Sequence, residues 1–150
     1  MKVEPDDQAW SRLRLLVAGA VRAPEDEPPH GALPTELEVL AGRLGQPLTL
    51  PLKTWLSICN GAAIGPGGVF GQRPDRHFLD MVKIRELCPA WRGLGWIPVA
   101  GDGCGNYFVL TPGATVGFVE PMSDPRILAG QVAPDLLSFM TDLLAADQGP

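Results

Sequence analysis

The chain has 150 residues with 17 acids against 12 scattered bases, a formal charge of −5, which argues against a nucleic-acid partner because phosphate binding needs clustered cations. Its 45% hydrophobic and 19% charged residues are those of an ordinary globular protein, and the length suits one substantial core. No apolar run is long enough to span a bilayer and residues 1–7 are too acidic to open a secretory signal, so the expected location is the cytoplasm, without membrane contact.

In chain order, Asp6 or Asp7 can cap a first helix within residues 1–21, with Trp10, Leu13, Leu16 and Val17 on one face. Residues 22–32 hold three prolines, Glu25-Asp26-Glu27 and a glycine, and read as a flexible linker or long loop. How the first helix docks on the remainder, residues 33–150, is left open by its sequence. Thr35 and Glu38 stand at capping-box spacing before a helix that buries Leu37, Leu40, Ala41 and Leu44 and stops at Gly45. Pro51 suits the first turn of the next helix, whose stripe is Leu52, Trp55, Leu56 and Cys59 and whose end is marked by Asn60-Gly61. Residues 62–71 form a glycine-rich loop around Val69-Phe70, and Phe78-Leu79 is a second candidate for a short strand. Asp80 then caps a helix with Met81, Ile84, Leu87 and Cys88 inward, stopped by Pro89. Trp91 and Arg92 are expected at a surface edge.

The densest pattern follows. Residues 96–100 and 107–110 are β-branched and aromatic runs bounded by glycine, hence strands. The second has no polar position, as expected of a strand covered on both faces. Pro98 lacks a ladder donor, which places it at an edge or a bulge. Gly101-Asp102-Gly103-Cys104-Gly105-Asn106 between them makes a tight reversal, and Thr111-Pro112-Gly113 leads into a third strand over 116–120. Residues 127–129 are a possible edge strand, and Pro134-Asp135 opens a last helix with Leu136, Phe139, Met140, Leu143 and Leu144 buried. Residues 145–150 should fray. Strands grouped between helices predict an α+β fold: a twisted sheet, mostly antiparallel or mixed, with helices packed before and after it.

The run Gly95-Trp96-Ile97-Pro98-Val99-Ala100-Gly101-Asp102-Gly103-Cys104-Gly105-Asn106-Tyr107-Phe108-Val109-Leu110 resembles the signature of the SUKH superfamily. That family includes fungal cell-wall-assembly regulators and many bacterial immunity proteins that neutralise polymorphic toxins. Its upstream mark, a Leu-Pro, a short amphipathic helix and an Asn-Gly, is matched by Leu50-Pro51 through Asn60-Gly61. The resemblance covers roughly residues 35–144. It implies an α+β fold and a protein partner. The motif positions it marks are Trp96, Pro98, Asp102, Gly103, Gly105, Asn106 and Tyr107, with Pro51, Asn60 and Gly61 upstream.

Catalytic constellations are weak. Cys104 sits in an exposed glycine turn, but a cysteine hydrolase needs a histidine base, and His30 and His77 are the two available. Cys59, Cys88 and Cys104 are spaced as reduced thiols, the first two on apolar faces. No cysteine or histidine pair has metal-ligand spacing, and Asp102, Cys104 and Asn106 imitate a calcium loop without its distal glutamate. Asp102 reads as an Asx-type turn stabiliser. No catalytic residue, metal or cofactor is expected. The expectation is a non-enzymatic protein-binding protein: an immunity protein that occludes a cognate toxin, a basic toxin domain being the partner its acidic charge suits. The rivals are a regulatory scaffold of the same fold and a small hydrolase using Cys104. Recognition is expected in loops 61–76 and 121–131, with Asp102 and Asp124 as possible partner contacts.

Overall fold

The structure, a computed structural model, describes residues 5–147. In chain order its elements are α1 (Pro5–Ala18), α2 (Pro34–Leu44), α3 (Leu50–Ile58), α4 (Met81–Glu86), α5 (Ala90–Leu94), β1 (Ile97–Gly101), β2 (Tyr107–Leu110), β3 (Val116–Val119), β4 (Gly130–Ala133) and α6 (Leu136–Asp147). The four strands form one sheet in the order β1-β2-β3-β4, each pair antiparallel. The fold is α+β, with helices on both sides of the sheet. Residues 145–147, expected to fray, are instead the last residues of α6, while residues 148–150 lie outside the described residues, as do residues 1–4.

The alternation of β2 explains its wholly apolar sequence. Val109 faces a small cluster with Cys88, Trp91, Trp96 and Val119. Phe108 and Leu110 face the main core, where the Phe108 ring lies 4.9 Å from that of Phe139 on α6. Pro98 meets both expectations made for it, since β1 is an edge strand and its register shifts between Pro98 and Ala100. That edge is not left bare. Phe70 N–H donates to the Val99 carbonyl at 3.0 Å and Gly101 N–H to the Gly68 carbonyl at 3.1 Å, so the 62–71 loop covers it.

The first helix docks on the last. Leu13, Val17 and Ala20 are buried in the same core as Leu136, Met140 and Leu144. The segment between α1 and α2 has no helix or strand, yet it is held to the body. Ala32 N–H donates to the Leu56 carbonyl at 2.8 Å, the His30 carbonyl accepts from Asn60 N–H at 2.7 Å, and Glu27 pairs with Arg73. An added Cβ on Gly31 would lie 1.8 Å from the Ser57 carbonyl oxygen, so this glycine admits the close backbone approach.

Several local expectations need correction. The α2 N-terminus is capped at Leu33, whose N–H donates to the Glu36 carboxylate at 2.8 Å, rather than at Thr35 and Glu38. Helix α3 ends at Ile58, and its C-cap is Cys59 in extended conformation. Asn60 therefore lies past the helix. Helix α4 stops at Glu86, which leaves Leu87 65% exposed. Pro89 starts a further short helix instead of only ending the previous one, and that turn carries Trp91 inward to full burial, against the surface position expected for it. The last strand is residues 130–133 rather than 127–129. Leu128 does not pair; its side chain lies over Gly117, where an added Cβ would be 2.7 Å from Leu128 Cδ2.

Candidate recognition surface at one end of the sheet

The antiparallel register aligns Gly101 with Tyr107 and Tyr107 with Val119. The β1–β2 turn and the loop leaving β3 therefore emerge from the same end of the sheet. The turn is built by Asp102. Its Oδ1 accepts from Cys104 N–H at 2.7 Å and Asn106 N–H at 3.0 Å, and its Oδ2 accepts from the Asn106 amide at 2.9 Å. Partial burial disfavours the charge on Asp102, but these hydrogen bonds outweigh it and hold the carboxyl below its usual range. Gly103 and Gly105 supply left-handed backbone at φ 82° and 88°.

A second loop comes to the same place by backbone contact. An added Cβ on Gly67 would lie 2.3 Å from Gly103 N, and one on Gly103 would lie 2.6 Å from the Pro66 carbonyl oxygen. Neither glycine tolerates a side chain there. Between this loop and the turn runs a groove of about 330 Å³ whose walls include Phe70, Phe78, Leu87 and Tyr107. Tyr107 is packed between Phe70 and Trp91, with ring centroids 6.1 and 5.7 Å away. Phe78 is 62% exposed, with the Arg76 guanidinium 5.7 Å from its ring centroid.

The third loop, after β3, carries Asp124. Its carboxylate accepts from the Arg126 backbone N–H at 2.9 Å and from Arg126 Nε at 3.3 Å, which lower its pKa from the usual carboxylate value. Trp91 Nε1 donates to the Pro125 carbonyl and ties this loop to α5. The structure thus sets Asp102, Gly103, Gly105, Asn106, Tyr107 and Asp124 at one sheet end. Trp96 and Pro98 are buried further along, and Pro51 stands in the first turn of α3. Asn60 and Gly61 serve elsewhere.

Their place is a polar network that sequence reasoning missed. Asp80 is fully buried and takes both Arg43 Nη atoms, at 2.9 and 2.6 Å, while its oxygens also accept from Arg73 N–H and Lys83 N–H. Arg43 also donates to Gln72 Oε1 at 2.7 Å. Asn60 clamps the Gln72 backbone, accepting from its N–H at 2.8 Å and donating to its carbonyl at 3.2 Å. Arg73, 5% exposed, donates to the Gly61 carbonyl and pairs with Glu27 and Asp75 beside a cavity of about 420 Å³. The sequence carries no local signal for this network, because Arg43, Asn60, Gln72 and Asp80 lie on separate elements.

Cys104 is exposed, and no hydrogen bond joins its thiol to His30 or His77 among the described residues. Cys59 is buried, which pushes its pKa up to about 12. No group of acids, cysteines and histidines is arranged to hold a metal ion among the described residues. No described helix is long and apolar enough to cross a membrane. No protein-family model matches the chain, and neither does any curated protein.

Proposed function

We propose that this chain is a non-enzymatic protein-binding protein of the SUKH type, an immunity protein that neutralises a cognate toxin by binding and occluding it. The observation that carries the binding role is the convergence of the Pro66–Gly67 segment, the 101–106 turn and the 120–129 loop on one end of a packed sheet, an ordered base presenting loops. The exposed Phe78 and Leu87 beside the groove are the apolar centre a protein interface needs. The toxin as partner rests on the motif resemblance and on the charge of −5, which suits a basic protein.

The test is co-expression with the product of the adjacent reading frame. Protection of the cells, lost in a folded Phe78→Asp/Leu87→Asp protein, supports the reading. An adjacent product that is harmless, or is not bound, overturns the immunity role and leaves the scaffold reading. Cys104→Ser should protect as well as the parent; loss of protection in a folded Cys104→Ser protein would favour the hydrolase instead.

A further inference from the structure

Three arginines converge on the C-terminal end of α2, in a pocket that shares no lining residue with the groove described above. Arg85, on α4, is 3% exposed. Its guanidinium donates to the Leu44 carbonyl at 2.5 Å and to Gln46 Oε1 at 2.8 Å. Arg92, on α5, lies across Gly45, where an added Cβ would be 2.8 Å from Arg92 Nη2. Arg43 completes the group. These side chains, with Val82, Glu86 and Pro89, surround a pocket of about 220 Å³.

The charges in this pocket do not balance. Arg43 is neutralised by Asp80, but among the described residues neither Arg85 nor Arg92 forms an ion pair. Glu86 lines the pocket and, among the described residues, is the one carboxylate in its lining. The α2 terminus supplies only about half an elementary charge through its free carbonyls. Arg85 is removed from water with only neutral acceptors, which is unfavourable for a guanidinium, and the exposed Arg92 beside it adds a second positive charge to the pocket. Burial, and then the neighbouring Arg92 charge, pull the pKa of Arg85 down, in the same sense.

We propose that this pocket binds one small oxyanion, a phosphate or carboxylate group, between the Arg85 and Arg92 guanidinium groups. Planar guanidinium donors match two oxygens of such a group, and their hydrogen bonds to it are charge-assisted. The volume is below the roughly 300–1,000 Å³ of pockets that enclose whole ligands, so the site takes an anionic head group rather than a nucleotide.

The test is a titration of the full chain with inorganic phosphate and separately with acetate, at fixed ionic strength against chloride, followed by NMR of the arginine Nε–H signals. The expected result is saturable shifts centred on Arg85 and Arg92. Tighter binding of phosphate identifies a phosphoryl group as the occupant, and tighter binding of acetate a carboxylate such as an acidic side chain. Arg92→Gln, at an exposed position, should weaken binding about tenfold, as loss of a charge-assisted hydrogen bond does. Glu86→Gln should tighten it. Shifts that stay linear and equal to those of chloride, or an Arg92→Gln protein that binds like the parent, would overturn the proposal.

Discussion

At Asp80 a single carboxylate holds together three segments: Arg43 of the distant α2, the Arg73 backbone of the preceding loop and the first turn of its own helix. Burial alone would raise its pKa, yet the Arg43 guanidinium and the backbone donors hold it below the usual carboxylate value. A depressed folded-state value means that the unfolded chain takes up this proton first. The stability from Asp80 is therefore fully present above the unfolded value of about 4 and is lost as pH falls through the lower folded value. Asp80→Asn should destabilise the fold by about 2–3 kcal/mol at neutral pH, since it breaks a pair whose carboxylate is buried. Denaturant unfolding checks the loss, and repeating it across pH 5 to about 3 should show a shallower acid decline than in the parent. Trp55 makes the opposite case. Its indole Nε1 is buried without a hydrogen-bond partner, so the ring packs at the cost of a desolvated donor. Trp55→Phe removes that donor while keeping an aromatic ring, and its unfolding free energy should stay within about 1 kcal/mol of the parent, far from the roughly 3–5 kcal/mol of Trp→Ala truncation. A larger loss on denaturant titration would show that packing, not the orphan donor, dominates the position.

At the scale of elements, α1 belongs to the core. It buries Leu13 and Val17 together with Leu136, Met140 and Leu144 of α6, and the irregular segment behind it is pinned through Glu27, His30 and Ala32. A protein starting at Leu33 would lose this cover and expose the α6 stripe. It should unfold at clearly lower denaturant concentration than the full chain, and Leu13→Ala alone should cost about 2–5 kcal/mol. Equal stability of the truncated and full chains would mean that α1 is an appendage. Limited proteolysis gives a separate view: a cut within 22–32 should leave the two fragments associated, because the contacts that hold α1 lie on α6 and not in the severed segment.

For the molecule as a whole, the net charge of −5 should act on encounter more than on residence. Exposed ion pairs contribute only about 0–1 kcal/mol each, so under the proposed binding role affinity at the loop-bearing end would rest on apolar contacts such as the exposed Phe78 and Leu87. Attraction beyond about 8–10 Å is screened at ordinary salt. Stopped-flow binding to a basic partner should show association slowing as salt rises, with dissociation little changed. Asp124→Asn should reproduce a small part of that slowing. An association rate indifferent to salt would remove charge from the recognition and leave the apolar surface.

What could be read without a structure was whatever short-range chemistry dictates. The β1–β2 reversal follows from three glycines, Asp102 and Asn106; the bulge follows from Pro98, which has no N–H to donate; and the two covered faces of β2 follow from a run with no polar residue. The α+β order follows from where helical and strand periods fall along the chain. Other features were decided by contacts between residues far apart. Trp91 is buried because a five-residue helix, too short to show a period, turns it under the loop at Pro125. The last strand is placed by its register on β3 and by Leu128 filling the space over Gly117, not by its own composition. Asn60 looks like a helix terminator but acts as a clamp on Gln72, and the Arg43–Asp80 pair joins positions 37 residues apart. A polar side chain in sequence shows what it can donate or accept; only packing brings its partner within reach and removes the water that would otherwise satisfy it.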